Sequence, residues 1–318
     1  MVQRLEALYR KLREGCSAQQ LGRSVPMSRY TTLRLGGPAD LVFNAASVDQ
    51  LSLALKAARE MEVPVTVIGN GSNLLVRDGG IRGLVVRICE DFAAVTEPTP
   101  LPDGIFSLTA QAGASLQKLC NAAADSSLTG LEFAFGIPGT VGGAVYMNAG
   151  AYGGEMKDVL HSVTAMDMEG NTRVYTAQEL ELGYRRSALM QTGHLVTSAT
   201  VVLRPGDEDT IRTAMREFIQ RRRQKQPIHL PSCGSTFKRP EGHFAGTLIE
   251  GCGLKGFRIG GASVSELHAG FLVNDQQGTA ADYLQLIAHV QKTVFDRTGV
   301  RLEPEVRILG EDAPLTVL

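Results

Sequence analysis

No two cysteines in the sequence are spaced C-x-x-C, and no two histidines are spaced H-x-x-x-H or H-E-x-x-H. No apolar run approaches the roughly 18 residues that a membrane-spanning helix needs. The five cysteines, Cys16, Cys89, Cys120, Cys233 and Cys252, are odd in number, far apart and mostly among apolar neighbours. They read as free thiols in a reducing compartment, and no metal site is expected. Charge of one sign is also missing. With 32 basic against 33 acidic residues the net charge is −1, so no basic field points to nucleic acid. The N-terminal MVQRLEALYRKLREG places Leu5, Leu8, Tyr9 and Leu12 on one helical face and is charged throughout, unlike a signal peptide. The expectation is a cytoplasmic protein with no membrane insertion.

What the sequence has in excess is glycine, 35 of 318 residues. That length predicts about two domains, with three possible. Residues 39–44 read as a strand, and Ser47-Val48-Asp49-Gln50 as a capping box opening a helix to about Glu60. Val63–Ile68 is a buried strand, 83–88 a short one, and 93–106 a loop or hairpin. Ile105–Gln111 is a strand, and Ser115 caps a helix to about Asp125. His161–Asp167 and His194–Leu203 read as antiparallel strands around Gly183-Tyr184-Arg185-Arg186-Ser187. A helix begins near Asp207 with Ile211, Met215, Phe218 and Ile219 as its apolar stripe, and a boundary falls at about 205. Thr279 caps a last long helix to about Thr298, before a terminal strand over 301–309. Strands alternating with helices, plus antiparallel pieces, define an α+β protein.

The glycines concentrate in two places. Gly69-Asn70-Gly71-Ser72-Asn73 follows a strand and suits an anion-binding nest, although a plain strand-end turn explains it equally. It is neither G-x-G-x-x-G nor a Walker loop, since Leu74 follows and no Lys-Ser/Thr pair does. The second stretch, Gly136–Gly154, has seven glycines in 19 residues, a density expected to exclude regular secondary structure. Together the two loops fit a pyrophosphate-bearing cofactor extended between them.

The segment PSCGSTFKRP (231–240) presents one thiol, three hydroxyls and two cations. By residue type alone it offers a nucleophile, a proton donor or turn chemistry. A hydrolase centred on Ser235 would lack the G-x-S-x-G elbow, and no base stands near it in sequence.

The strings TLRLGGPAD, VIGNGSNLLV, GIPGTVGGAVYMNAGAYGGE, GYRRSAL, CGSTFKRP, AGFLVN and LEPEVRILG resemble, in order from about residue 20 to 310, the UDP-N-acetylenolpyruvoylglucosamine reductases. These are flavoenzymes that make the muramic-acid precursor of bacterial peptidoglycan. The resemblance implies the FAD-binding fold of the vanillyl-alcohol oxidase superfamily with a C-terminal α+β substrate domain. It divides the chain into 1–90, joined by the 301–318 tail, then 91–205 and 206–300. It implies non-covalent FAD held by Gly69, Asn70, Gly71, Ser72, Asn73, Pro138, Gly139, Thr140, Gly142, Gly143, Asn148, Ala149 and Gly150. NADPH is the implied reductant and UDP-N-acetylglucosamine enolpyruvate the substrate, handled by a monomer.

By the same resemblance Arg185 polarises the substrate carboxylate, Glu305 stands near the reacting carbon, and Ser235 gives the proton to C2. A guanidinium forks bidentately onto a carboxylate, and a carboxyl beside another carboxylate has a raised pKa. Lys225 and Arg239 match positions touching the substrate diphosphate or sugar, Arg239 standing where the other branch has asparagine. The short span between Gly183 and Pro227 matches the branch without the inserted loop whose tyrosine closes over substrate. Arg221, Arg222 and Arg223 read equally as a solvated helix end, and His268 as structural. Alternatives left open are another oxidase or dehydrogenase of this superfamily, the Ser235 hydrolase, and a non-catalytic sugar-nucleotide sensor.

Overall fold

A computed structural model describes residues 1–88 and 90–313, so Cys89 and residues 314–318 of the expected tail lie outside the described residues. Numbered in chain order, the helices are α1 (Val2–Arg13), α2 (Val48–Glu60), α3 (Leu116–Asp125), α4 (Val141–Tyr146), α5 (Leu189–Thr192), α6 (Glu208–Lys225), α7 (Ala245–Gly251) and α8 (Ala280–Thr298). The strands begin with β1 (Leu21–Pro26), β2 (Pro38–Ala45), β3 (Val65–Ile68), β4 (Leu74–Val76), β5 (Ile81–Ile88) and β6 (Thr99–Pro100). They continue with β7 (Phe106–Gln111), β8 (Leu128–Thr129), β9 (Gly150–Ala151), β10 (Gly154–Glu155), β11 (Leu160–Met166) and β12 (Thr172–Thr176). The last are β13 (Leu195–Pro205), β14 (Arg258–Ile259), β15 (Ala262–Val264), β16 (Leu272–Asn274) and β17 (Arg307–Leu309). Among the described residues no helix is long and apolar enough to cross a membrane.

Two compact units share these elements. Residues 1–22, 41–70 and 83–221 form the first, and residues 23–40, 71–82 and the described part of 222–318 form the second. These units divide the chain differently from 1–90 with the 301–318 tail, 91–205 and 206–300. Segments 1–90 and 91–205 both contribute to the first unit, and 23–40 and 71–82 join the C-terminal third. Strand β17 runs parallel to β4, with Arg307 opposite Leu74 and Leu309 opposite Val76.

In the first unit β3 lies parallel to β5, with Val65 opposite Leu84. Leu8 and Leu12 of α1 are fully buried in its core with Leu51 and Leu55 of α2, while Leu5 and Tyr9 pack partly against it. Ser47 caps α2 by accepting the Gln50 amide at 3.2 Å. The expected box is only half formed, because the Gln50 carboxamide accepts from Ala46 instead, at 2.9 Å. A six-stranded antiparallel sheet runs β12-β11-β13-β7-β6 with β8 beside β13.

The expectation of no regular structure across 136–154 is overturned, because α4 lies inside it. Gly142 donates its amide to the Ala112 carbonyl at 2.8 Å. A Cβ there would sit 2.9 Å from the Ala112 Cβ, so glycine lets the helix lie against that backbone.

The second unit packs α7 and α8 with the antiparallel sheet β14-β15-β16. Its core holds Leu33, Leu35, Leu75, Phe237, Tyr283, Leu286, Val290 and Val306. Thr279 and Asp282 form a complete capping box on α8. Asp78 adds a second clamp, accepting the Ala280 and Ala281 amides at 2.8 and 2.9 Å where the helix dipole favours an anion.

Candidate active site

In the first unit the two glycine-rich loops meet. A Cβ on Gly69 would lie 2.6 Å from the Thr140 hydroxyl oxygen, so only glycine permits this approach. Asn70, Pro138 and Gly143 are exposed beside the contact, and no basic side chain occurs in either loop. A bare backbone cradle with small and amide side chains fits a cofactor diphosphate.

The second of these loops also holds Arg185. Gly183 and Arg186 exchange both backbone hydrogen bonds at 3.1 Å, so Tyr184 and Arg185 form the two-residue tip of a tight turn. Arg185 has φ +53°, a left-handed conformation that a non-glycine residue holds at a cost of about 1 kcal/mol or more. Two buried side chains impose it. Asn148, fully buried, donates to the Gly183 carbonyl at 3.0 Å and to Glu155 at 2.8 Å, and accepts the Lys157 amide at 3.0 Å. Ser187, also fully buried, donates to the Tyr146 carbonyl at 2.8 Å. The Arg185 guanidinium lies 5.1 Å from the centre of the Tyr184 ring. Nearby, β9 and β10 form a hairpin whose tip residue Tyr152 (φ +54°) stacks on Phe218 of α6 at 4.6 Å.

The second unit gathers Ser235, Glu305 and the end of the first loop. Pro231 accepts the Asn274 amide at 2.9 Å and Thr236 donates to the Gly270 carbonyl at 3.0 Å, so both ends of the segment pair with the chain at β16. Between them the chain bulges at Gly234, whose φ is +79°. Cys233, Thr236 and Phe237 are buried while Ser235 is exposed. On the other edge the Glu305 amide donates to the Thr236 carbonyl and Lys238 to the Glu303 carbonyl, each at 2.8 Å. Asn73 donates its carboxamide to the Glu305 carbonyl at 3.1 Å, and Thr32 donates its hydroxyl to the Ser232 carbonyl at 2.6 Å. Five of the motifs therefore meet in this one unit.

Arg185 belongs to the first unit, whereas Ser235, Glu305, Lys225 and Arg239 belong to the second. Glu303, two residues before Glu305, is ion-paired with Lys238 at 3.0 Å and largely exposed. Lys225 ends α6 and is exposed. Arg239 lies 4.0 Å from the centre of the Phe244 ring, an exposed aromatic that no pattern in the sequence marked. Cys233 is buried, and desolvation pushes its thiol up to about 11. Burial lowers the His268 pKa, and its ring accepts the Gly270 amide at 3.1 Å.

Missing from the sequence reading were Tyr283, Ser187 and the inward role of Asn148. Tyr283 lies in the apolar stripe of α8 with Leu286, Ile287, Val290 and Val294. A tyrosine in a core stripe needs a partner for its hydroxyl, and that was the available signal.

The glycine-loop cradle of the first unit is that of a protein that binds a cofactor through its diphosphate. An FAD binding domain model matches residues 39–175. The model for the C-terminal domain of UDP-N-acetylenolpyruvoylglucosamine reductase matches residues 226–309. The chain is 46% identical over 308 residues to the UDP-N-acetylenolpyruvoylglucosamine reductase of Exiguobacterium sibiricum, covering 97% of this chain and 99% of that one. It is 47% identical to the enzyme of that name from Clostridium perfringens, covering 96% of this chain and 98% of the relative. The crystal structure of the Thermus caldophilus reductase matches 90% of this chain and 98% of its own, with a TM-score of 0.77 at 37% identity. The chain belongs to the UDP-N-acetylenolpyruvoylglucosamine reductase family, and it is an FAD-dependent oxidoreductase.

Proposed function

We propose that this chain reduces the enolpyruvyl group of UDP-N-acetylglucosamine enolpyruvate to the lactyl group of UDP-N-acetylmuramate, with NADPH as reductant, supplying peptidoglycan precursor synthesis. The observation that carries this is the pairing of the Ser235 segment with Glu305, the Glu305 amide donating to the Thr236 carbonyl at 2.8 Å. FAD bound there would supply hydride transfer between NADPH and C3 of the substrate. Gly69, Asn70, Gly71, Ser72 and Asn73, with Pro138, Gly139, Thr140, Gly142, Gly143, Asn148, Ala149 and Gly150, would hold it without a covalent bond. Because the Asn148 side chain is committed inside the protein, its part is to shape the loop.

The double bond gains one hydride at C3 and one proton at C2. Arg185 places its fixed charge on the substrate carboxylate and steadies the negative charge that develops there. Ser235 gives its hydroxyl proton to C2 and regains one from solvent. Glu305, whose amide is bonded to the Thr236 carbonyl beside Ser235, takes part in the same reaction. Lys225 and Arg239 hold the diphosphate and sugar, with Arg239 stacked on Phe244. The enzyme works as a cytoplasmic monomer.

Stopped-flow absorbance on the purified protein tests this. NADPH is expected to bleach the flavin colour and the enolpyruvyl sugar nucleotide to restore it. Ser235→Ala is expected to keep the bleaching step and to slow recovery by at least about 100-fold, the usual contribution of a positioned proton donor. Turnover with oxygen alone, and no recovery by the sugar nucleotide, would instead mark an oxidase of the same superfamily.

A further inference from the structure

The second unit contains a closed ring of hydrogen bonds behind Ser235. The Leu272 amide donates to the Thr236 hydroxyl oxygen at 3.2 Å, and the Tyr283 hydroxyl donates to the Leu272 carbonyl at 3.1 Å. The Thr236 and Tyr283 hydroxyl oxygens are 3.1 Å apart. Tyr283 has one proton and spends it on Leu272, so the Thr236 hydroxyl is the donor to the phenol oxygen. Cys233 brings its sulfur to 3.2 Å from the same oxygen.

The ring follows from the bulge. Pro231 and Thr236 pair with the chain at β16, but the excursion through Cys233, Gly234 and Ser235 carries their backbone away from Leu272. Side chains from Thr236 and Tyr283 take over both of its buried backbone groups. Tyr283 is fully buried on α8, so its oxygen is anchored by a whole helix. Ser235 is exposed between two residues held this way.

We propose that Tyr283 is a positioning residue for proton delivery. Its buried hydroxyl locks Cys233 and Thr236, on either side of Gly234 and Ser235, and so fixes where the Ser235 hydroxyl stands in the segment bonded to the Glu305 amide. This rests on the reading of Ser235 as the proton donor. A reacting group displaced by about 1 Å can lose on the order of 100-fold in rate, so a loosened bulge reports directly on proton transfer.

The test compares the parent holoenzyme with Tyr283→Phe, Thr236→Val and Thr236→Ser. Amide hydrogen exchange over residues 232–237 is expected to speed up in Tyr283→Phe. Bleaching by NADPH stays at the parent rate. Recovery with the enolpyruvyl sugar nucleotide slows by roughly 10-fold or more and shows a larger solvent deuterium isotope effect, because proton delivery becomes limiting. Thr236→Val breaks the same ring and serves if Tyr283→Phe does not fold. Thr236→Ser, which keeps a hydroxyl, restores most of the rate lost in Thr236→Val. Parent-like exchange, parent-like recovery, or equal loss in both half-reactions overturns the proposal. Ser235→Ala separates the two claims. If it recovers at the parent rate, the proton-donor reading falls; if it is slow while Tyr283→Phe is not, only the clamp falls.

Discussion

The carboxamide of Asn148 donates to the Gly183 carbonyl at 3.0 Å, tying the second glycine-rich loop to the turn that carries Arg185. One buried side chain thus couples the segment expected at the cofactor to the cation expected at the substrate. Its own backbone is left-handed, with φ +42°. Asparagine is among the few residues that accept this conformation while offering both a donor and an acceptor.

Asn148→Ala should therefore cost both stability and substrate binding. It takes the Asn148 amide from the Gly183 carbonyl, which keeps only the Arg186 amide, and removes the acceptor of the Lys157 amide. A loss of about 1–2 kcal/mol in urea unfolding is expected, with a raised KM for the sugar nucleotide as the Arg185 turn loosens. An unchanged unfolding midpoint would show that the amide contacts carry no weight.

The two glycines of the first loop should fail differently. A Cβ on Gly71, at φ +63°, would run into the Tyr30 carbonyl, a backbone atom that cannot step aside. Gly71→Ala is expected to lower the melting temperature sharply. At Gly69 the obstacle is the Thr140 hydroxyl, a side chain that can rotate. Gly69→Ala should fold but retain flavin less well, by about 10-fold in Kd, equivalent to about 1.4 kcal/mol. Differential scanning fluorimetry and flavin titration of the two variants distinguish these outcomes. A Gly69→Ala protein with parent flavin affinity would remove the cradle argument.

Buried thiols set an alkaline limit. Desolvation raises Cys233 to about 11, and desolvation with the nearby Glu132 raises Cys120 to about 12, from an ordinary value of 9.0. A folded pKa above the unfolded one means the native state holds its proton longer. The resulting stability is full below pH 9.0 and is lost as pH climbs toward about 11 for Cys233 and about 12 for Cys120. Iodoacetamide at pH 8 should leave both unlabelled in the native protein and label both in urea, read by peptide mass. Native labelling of Cys233 would mean that the Ser235 segment opens readily.

Much of the fold was legible because its signals are local. Ser47, Ser115 and Thr279 each accept the amide three residues on, as their sequence contexts predicted. The helix inside the glycine-dense stretch was not legible, since it depends on Ala112 offering its carbonyl to Gly142 from 30 residues away. Glu303 and Glu305 look alike in sequence, and only the structure pairs Glu303 with Lys238 and gives the Glu305 amide to the Thr236 carbonyl.

By itself the sequence determined the composition class, the capped helices, the two glycine loops and the family motifs, because residue type and near-neighbour spacing are enough for each. Only the tertiary structure decided what surrounds Ser235. Cys233 and Thr236 meet Tyr283 across separations of 50 and 47 residues, and Asn73 meets Glu305 across 232. No local pattern encodes such partners. They arise because the buried backbone groups of Leu272, at the start of β16, must be satisfied by whatever side chains the neighbouring segment and the packed helix bring there.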